Sequence, residues 1–385
     1  MLRIVENLSE IPEAQWNALR AVTPGDNPFL AYAFLRALQD SGCATAATGW
    51  RAQFLTLWQD ETLVGAMPLY FKSHSWGEFV FDWAWAEAYQ RHGLSYYPKL
   101  VSSVPFTPVT GARLLAESDS VRAQLIQAAL QLARDSGASS LHCLFPPASQ
   151  ALEMQSQGML LRRGVQLHWN NPGYIDFAAY LAGMRRDKRK KIQQERRKVS
   201  DAGIRFLHLR GEQITPEYWA FFMRCYVQTH QQFNSPLALN LDFFQRVGRS
   251  MPANILLIVA LRDAGEGEQP IASALNFCDD RALYGRSWGT LEYHPGLHFE
   301  TCYYQAIEFC IANKIATFEG GAQGEHKLAR GFLPVTTWSA HWLAHPRFSS
   351  AVEEFLQRES GGIERYVDEL NESSPFKRQG IGMDG

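Results

Sequence analysis

Apolar residues recur along this chain with two different periods, and the places where the period changes mark its elements. Leu, Ala and Ile return every three to four positions over 118–136, with Ser118 opening the run and Gly137 closing it, which predicts one amphipathic helix. Shorter runs of the same kind predict helices over 13–20 and 32–39. The apolar segments 53–58 and 63–71, separated by Gln59-Asp60-Glu61-Thr62, predict two antiparallel strands joined by a tight turn. A further short strand is predicted over 141–145.

The same order then recurs. Helices are predicted over 216–232 and 241–250, strands over 254–262, 271–279 and 281–289, a helix over 301–313 and a strand over 315–319. Two helices, a meander of strands, a helix and another strand, met twice, predict an α+β chain built from a duplicated unit. The length of 385 residues fits this, since one core rarely serves a chain beyond about 300 residues. Arg162-Arg163-Gly164 and Asn170-Asn171-Pro172-Gly173 punctuate the join, which places the domains at 1–168 and 169–385.

Composition narrows the function. A net charge of −2 excludes a chain that coats nucleic acid or anionic lipid over its whole surface, so any such contact is local. The six cysteines form no CxxC pair and sit among apolar residues, as reduced thiols of a cytoplasmic protein do. Glu6 comes too early for a signal peptide, and no apolar run approaches the roughly 18 residues of a transmembrane helix. A cytoplasmic protein without a transmembrane segment is therefore expected. No HExxH and no Cys/His cluster occurs, so no metal is expected. His341 and His345 are four apart on a stretch that alternates like a strand, too far apart to chelate together. No GxSxG elbow supports a serine hydrolase.

One segment is strongly basic. Residues 181–199 carry nine Lys and Arg against Asp187 and Glu195 on an expected helix, whose Ile192 and Val199 would pack inward. Arg185, Arg186, Lys188, Arg189 and Lys190 are candidates for the phosphates of RNA or of a nucleotide-linked substrate. The alternative is a merely solvated helix face.

The densest chemistry lies in Glu319-Gly320-Gly321-Ala322-Gln323-Gly324-Glu325-His326-Lys327-Leu328-Ala329-Arg330, directly after an expected strand. Glycines let a backbone approach a ligand, and so many charges are costly to bury unless they pair or meet a substrate. Upstream, Arg286, Trp288, His298 and Glu300 flank a Pro295-Gly296 turn that opens a helix, where free N–H groups favour an anion. A second aromatic-rich stretch with Lys72, His74, Lys99 and Arg113 is an expected groove for a sugar, peptide or nucleotide, or else a contact between domains.

Several of these strings resemble the bacterial FemAB-like family, whose members are usually labelled GNAT-family N-acetyltransferases or peptidoglycan biosynthesis/recognition proteins. They are 69–82, Tyr96-Tyr97-Pro98-Lys99-Leu100, 104–111, 297–304 and 320–332, and the likeness runs from about Asn27 to Phe376. The resemblance implies two tandem GNAT-like (acyl-CoA N-acyltransferase) domains, each a mixed, mostly antiparallel sheet flanked by helices. Fem enzymes move an aminoacyl group from aminoacyl-tRNA to an amine of a cell-wall precursor, and GNAT enzymes take acetyl from acetyl-CoA. An acyl-CoA or aminoacyl-tRNA donor, a small-molecule or cell-wall precursor acceptor and a role for transfer RNA are thus implied, without a metal. The chain departs from the family in two places: one short basic helix stands for the coiled-coil arm, and the GNAT pyrophosphate loop is only partly matched at 109–113 and 294–297.

Either donor requires a proton acceptor and an oxyanion site. Glu325 or His326 is the expected base. Lys327 and Arg330 would hold a carboxylate or phosphate, with Glu319 and Gln323 beside the substrate and the N–H groups of 321–324 at the oxyanion. A non-catalytic module that binds peptidoglycan precursors or RNA is the alternative.

Overall fold

A computed structural model describes residues 1–263, 265, 267–321 and 324–377. The chain forms two compact units. Unit 1 takes 1–165, 238–251 and 336–365, and unit 2 takes 166–237, 252–335 and the residues from 366 onward. The first crossing falls close to the expected join, but the chain returns twice to unit 1, which a single boundary at 168 does not describe. Burial explains the first return: in helix Leu241–Ser250 the Phe243 ring packs edge-on to Phe34, with centroids 5.4 Å apart, and Asn240 Nδ2 donates to Ser41 O at 2.8 Å.

In unit 1, β1 (Leu2–Val5), β2 (Trp50–Ala52), β3 (Phe54–Gln59), β4 (Thr62–Met67), β5 (Tyr70–Lys72), β6 (Lys99–Ser102), β7 (Leu115–Ala116) and β8 (Ser140–Leu144) form two sets. One is antiparallel in the order β1-β3-β4-β7, and the other runs β2-β5-β6-β8 with β6 and β8 parallel. The β3–β4 hairpin turns at Asp60 with φ 52, where the polar tetrad predicted it. Helix Asp119–Asp135 is capped by Ser118, whose Oγ accepts from Val121 N, and it buries Leu125, Ile126, Ala129 and Leu130 against Leu55, Met67, Leu100 and Leu141. Each such leucine contributes about 1.5–3 kcal/mol by leaving water. The expected aromatic groove is in part a helix, Trp83–Arg91, which turns Trp85 and Tyr89 inward and leaves Trp83 exposed.

In unit 2, the end of β9 (Leu160–Asn170) joins β10 (Ile204–Leu209), β11 (Ile255–Asp263), β12 (Glu268–Cys278), β13 (Ala282–Thr290) and β14 (Thr317–Glu319) in the order β10-β11-β12-β13-β14-β9. All neighbours are antiparallel except β13 and β14. From residue 336, β15 (Leu333–Leu343) belongs to unit 1, where 339–343 pairs antiparallel with β8. The strands of both units are thus mixed, mostly antiparallel, and flanked by helices.

The basic segment differs from expectation. Instead of one helix over 181–199, it forms Phe177–Ala182 and Arg186–Asp201. The break is tertiary: Met184 bridges to Phe376, and Arg185 N donates to Pro375 O at 2.9 Å, which diverts the backbone from helical pairing. Ile192 and Val199 are buried, and Val199 packs with Ile204, Ala260, Ile271 and Leu297.

Candidate active site

β13 and β14 pair only over Ala282–Tyr284 and Thr317–Glu319. Beyond that point β13 continues to Thr290, while the chain of β14 leaves at Gly320. The β12–β13 register slips after Leu275, so Asn276 faces Gly285, Leu275 faces Ser287, and Arg286 is the extra residue of a bulge. Parallel strands that part at their carboxyl ends are a usual place for a binding site.

The glycine-rich loop begins there. Gly321, Gly324 and Gly331 take φ of 85, 115 and 80, a left-handed backbone that glycine adopts without strain. Between them Glu325–Arg330 makes a tight 3₁₀ turn. The turn points its two cations inward. Lys327 is 2% exposed, its Nζ donates to Gly321 O at 2.7 Å, and burial pushes its ammonium down to about 8. Arg330 is also buried: Nη2 donates to both carboxylate oxygens of Glu195 (2.9 and 2.8 Å), Nη1 donates to His326 O, and the guanidinium lies 3.4 Å from the centre of the Phe299 ring.

The expected base candidates are set differently. Glu325 is exposed and accepts from the Tyr366 hydroxyl at 3.3 Å. His326 Nε2 lies 2.9 Å from Tyr303 Oη, and partial burial with the charges of Arg330 and Lys327 holds its imidazole below the ordinary range, hence neutral. His298 stands 5.7 Å from the His326 ring and 4.9 Å from Trp288, pushed down to about 4 by burial and by His326 and Arg330. Glu319 ends β14 with a side chain 13% exposed; His168 Nε2 is 3.9 Å from its Oε2, and that oxygen has no hydrogen-bond partner among the described residues. Burial also lowers Arg286 to about 10, opposed by Tyr226 and Glu319. Gln323 lies outside the described residues.

Two residues of the basic helix face the site instead of solvent. Glu195 takes Arg330 and the Tyr304 hydroxyl, and Arg196 binds Glu300 through Nε at 3.1 Å and Glu308 through Nη1 at 2.7 Å. Glu300 is therefore a brace of the helix start, held by Arg196 and Gln305. The remaining cations on the helix, including Arg185, Arg186 and Lys190, are exposed, with Lys188 and Arg189 half-buried.

Lys72, His74 and Lys99 belong to unit 1. Lys72 and Lys99 face each other across β5 and β6, and neither reaches solvent. Lys99 Nζ donates to Ser75 Oγ and Glu78 Oε2, both at 2.8 Å, and to Asp82 Oδ2. Lys72 Nζ donates to Trp76 O at 3.1 Å and lies 3.5 Å from the centre of a Trp50 ring; burial lowers it to about 7. His74 accepts from Trp76 N and bonds Thr48 O. Arg113 is spent on the carbonyls of Leu144, Gly111 and Val109. These cations fill the expected groove from within, because the loop 73–82 brings carboxylates down onto them.

The sequence pattern does not single out Glu78, Asp82, His142, His168, Glu195 or Tyr303. For Tyr303 a signal exists: it follows the His298–Glu300 run by one helical turn. The others become visible only when strands distant in sequence pair, as His142 and His341 do across β8 and β15 with Nδ1 atoms 2.7 Å apart.

Among the described residues, no group of three or more His, Cys, Asp or Glu is placed to hold a metal ion, and no helix is long and apolar enough to cross a membrane. No curated protein matches the chain. Solved structures do. FemX aligns at 10% identity and TM-score 0.55 over 89% of this chain and 98% of its own. L-PGS from Bacillus licheniformis aligns at 10% and 0.55 over 90% and 97%. The C-terminal domain of a protein assigned as a lysylphosphatidylglycerol synthetase, from Agrobacterium fabrum, aligns at 8% and 0.56 over 90% and 96%. At such identities the likeness is one of fold. A sequence profile for peptidoglycan biosynthesis/recognition proteins matches residues 7–378, and the chain accordingly belongs to the FemAB-like family.

Proposed function

We propose that the chain transfers an activated acyl group, an aminoacyl ester in the first instance, to an amine of a peptidoglycan precursor. The observation that carries this is the end of β14, where Glu319 keeps a buried carboxylate oxygen without a hydrogen bond among the described residues and the turn that follows carries a desolvated lysine (Lys327) and an imidazole held below its ordinary range (His326). Amide formation needs these types: a group that removes a proton from an ammonium, and a cation facing the oxyanion. The peptidoglycan description of the family supports the acceptor, and the likeness to FemX and to lysylphosphatidylglycerol synthetase supports an aminoacyl donor.

The cations at the start of the basic helix, the exposed Arg185, Arg186 and Lys190 with the half-buried Lys188 and Arg189, suit the phosphates of transfer RNA. Reversing Arg189 and Lys190 to glutamate is expected to weaken transfer-RNA binding and to flatten its dependence on log salt by about one unit for each phosphate no longer neutralised. Filter binding between 50 and 200 mM salt, a range over which several neutralised phosphates change affinity by roughly 10³-fold or more, checks this. An unchanged slope would leave the helix a solvated face.

The proposal is tested by mixing the protein with a lysine-containing muramyl peptide and either charged transfer RNA or labelled acetyl-CoA, then mapping covalent transfer. Transfer from acetyl-CoA alone would make it an acetyltransferase. A non-catalytic module is the second reading, favoured by the engagement of Arg330 and Glu300 in internal ion pairs; binding of the peptide without transfer would establish it.

A further inference from the structure

Among the described residues, most charged groups around the end of β14 are hydrogen-bonded or ion-paired within the protein. Arg330 is held by Glu195, Lys327 by Gly321 O, Glu300 by Arg196, and Glu325 meets Tyr366 at the surface. Among the described residues of unit 2, Glu319 Oε2 is the one buried carboxylate oxygen without a hydrogen-bond partner. Leaving such an oxygen unpaired costs folding free energy, which is sustained where a ligand supplies the missing donor. Gly320 and Gly321 follow Glu319 directly, and among the described residues a Cβ on Gly321 would meet Gly285 O at 3.6 Å and Lys327 Nζ at 3.9 Å, both ordinary contacts. Gly320 is instead closely packed, since a Cβ there would meet Phe332 at 2.9 Å and Lys327 at 3.3 Å, so the turn follows Glu319 in a fixed path.

We propose that Glu319, and neither Glu325 nor His326, is the base that takes the proton from the acceptor amine. The inference rests on the acyl-transfer reading above. The acceptor arrives as an ammonium and gives one proton to Glu319 Oε2. The freed amine forms the C–N bond to the acyl carbon, and the C–O bond of the ester (or C–S of a thioester) breaks. The second amine proton leaves with the expelled oxygen or sulfur, and Glu319 returns its proton to water. Lys327, on the turn, faces the developing oxyanion.

The groups around Glu319 set its titration. They are Arg286 and Tyr284 on β13, Asp279 before it and His168 on β9, with Tyr226 on helix Pro216–Gln232 beside Arg286 and Lys327 on the turn acting on His168. Burial lifts the carboxyl to about 8 against the pull of Arg286, with Asp279 adding to the lift. The base works ionised, so transfer rises with pH up to about 8.

Glu319→Gln keeps the shape and removes the base. Initial rates with charged transfer RNA and the lysine-containing muramyl peptide, measured from pH 6 to 9, are expected to fall about 100-fold and to lose their rise with pH. Glu319→Asp, which moves the carboxylate back by one methylene, is expected to be slower than wild type yet keep the rise. It carries the test should the glutamine variant melt much lower than wild type. An E319Q enzyme with wild-type rate and pH profile overturns the assignment while leaving the transfer reading intact. Absence of transfer by the wild type from either donor overturns both.

Discussion

Replacing Lys99 with alanine is expected to destabilise unit 1 by about 3–5 kcal/mol, the cost of removing one partner from a buried ion pair. Lys99 is fully buried, and its ammonium is the shared partner of Glu78, Asp82 and Ser75. Without it two carboxylates remain inside, and the nearest other cation, Lys72, stands 4.0 Å from Glu78 Oε1 and is weakened by burial. Lys99→Met, which fills the space without the charge, is expected to recover part of the packing and none of the pairing. Urea unfolding followed by tryptophan fluorescence reads both variants. A loss below about 1 kcal/mol, the range of exposed pairs, would mean that the cluster is hydrated. The acid limb gives an independent check. Burial lifts the Asp82 carboxyl, but Lys99 and His142 overcome it and hold the group at about 2. Its contribution is therefore fully present above the ordinary value of 3.8 and lost as pH falls through about 2. In K99A the loss begins at higher pH.

The largest effect on turnover is expected from Lys327→Ala, a fall in kcat of about 10²–10³, the range for removing one donor from an oxyanion site. The ammonium is buried with a single hydrogen bond among the described residues, to Gly321 O, so its field is weakly screened. Its charge also sets the alkaline limb. Lys327 is protonated below about 8 and neutral above, whereas Glu319 is ionised above about 8. Opposed requirements at the same pH give a low bell for kcat/KM centred near 8, whose acid side vanishes in E319Q and whose alkaline side vanishes in K327A. Single-turnover rates across pH measure both sides. K327A turnover within about threefold of wild type would remove the lysine from the oxyanion, a loss too small for such a donor.

Much of this architecture is legible in the hydrophobic pattern. Helices Pro216–Gln232 and Leu241–Ser250 start at a proline in the first turn and at an Asn cap, signals that act locally, and they fall where the pattern puts them. The β3–β4 hairpin is legible because its turn is polar and its strands are not. Helix Trp83–Arg91 is not, since aromatic residues crowded into nine positions look like a binding surface until Trp85 is seen against His341 and Tyr89 against Phe348. Helix Pro346–Glu372 is hidden by Gly361-Gly362 in its middle, each glycine costing about 1 kcal/mol of helix propensity. In the site, the loop 319–330 stands out by composition alone, because charge and glycine together are rare. Which of its charges are free is a tertiary fact. Arg330 looks available until Glu195, 135 residues away, closes on it. Glu319 looks like the end of a strand until the burial around it is known.

Glu195 and Arg196 are neighbours on one helix with opposite charges and separate tasks: one holds the turn that carries Lys327, the other holds the start of the helix that carries Tyr303. A helix tied at both points cannot rotate about its axis or slide without breaking one tie. The outward lysines and arginines are thereby fixed in azimuth relative to the reacting groups, as teeth on a keyed shaft are fixed relative to its slot. A charge-by-charge substitution scan along 185–198 should accordingly split into two maps that do not blend: outward positions altering salt-dependent affinity, and the inward pair altering turnover at constant affinity.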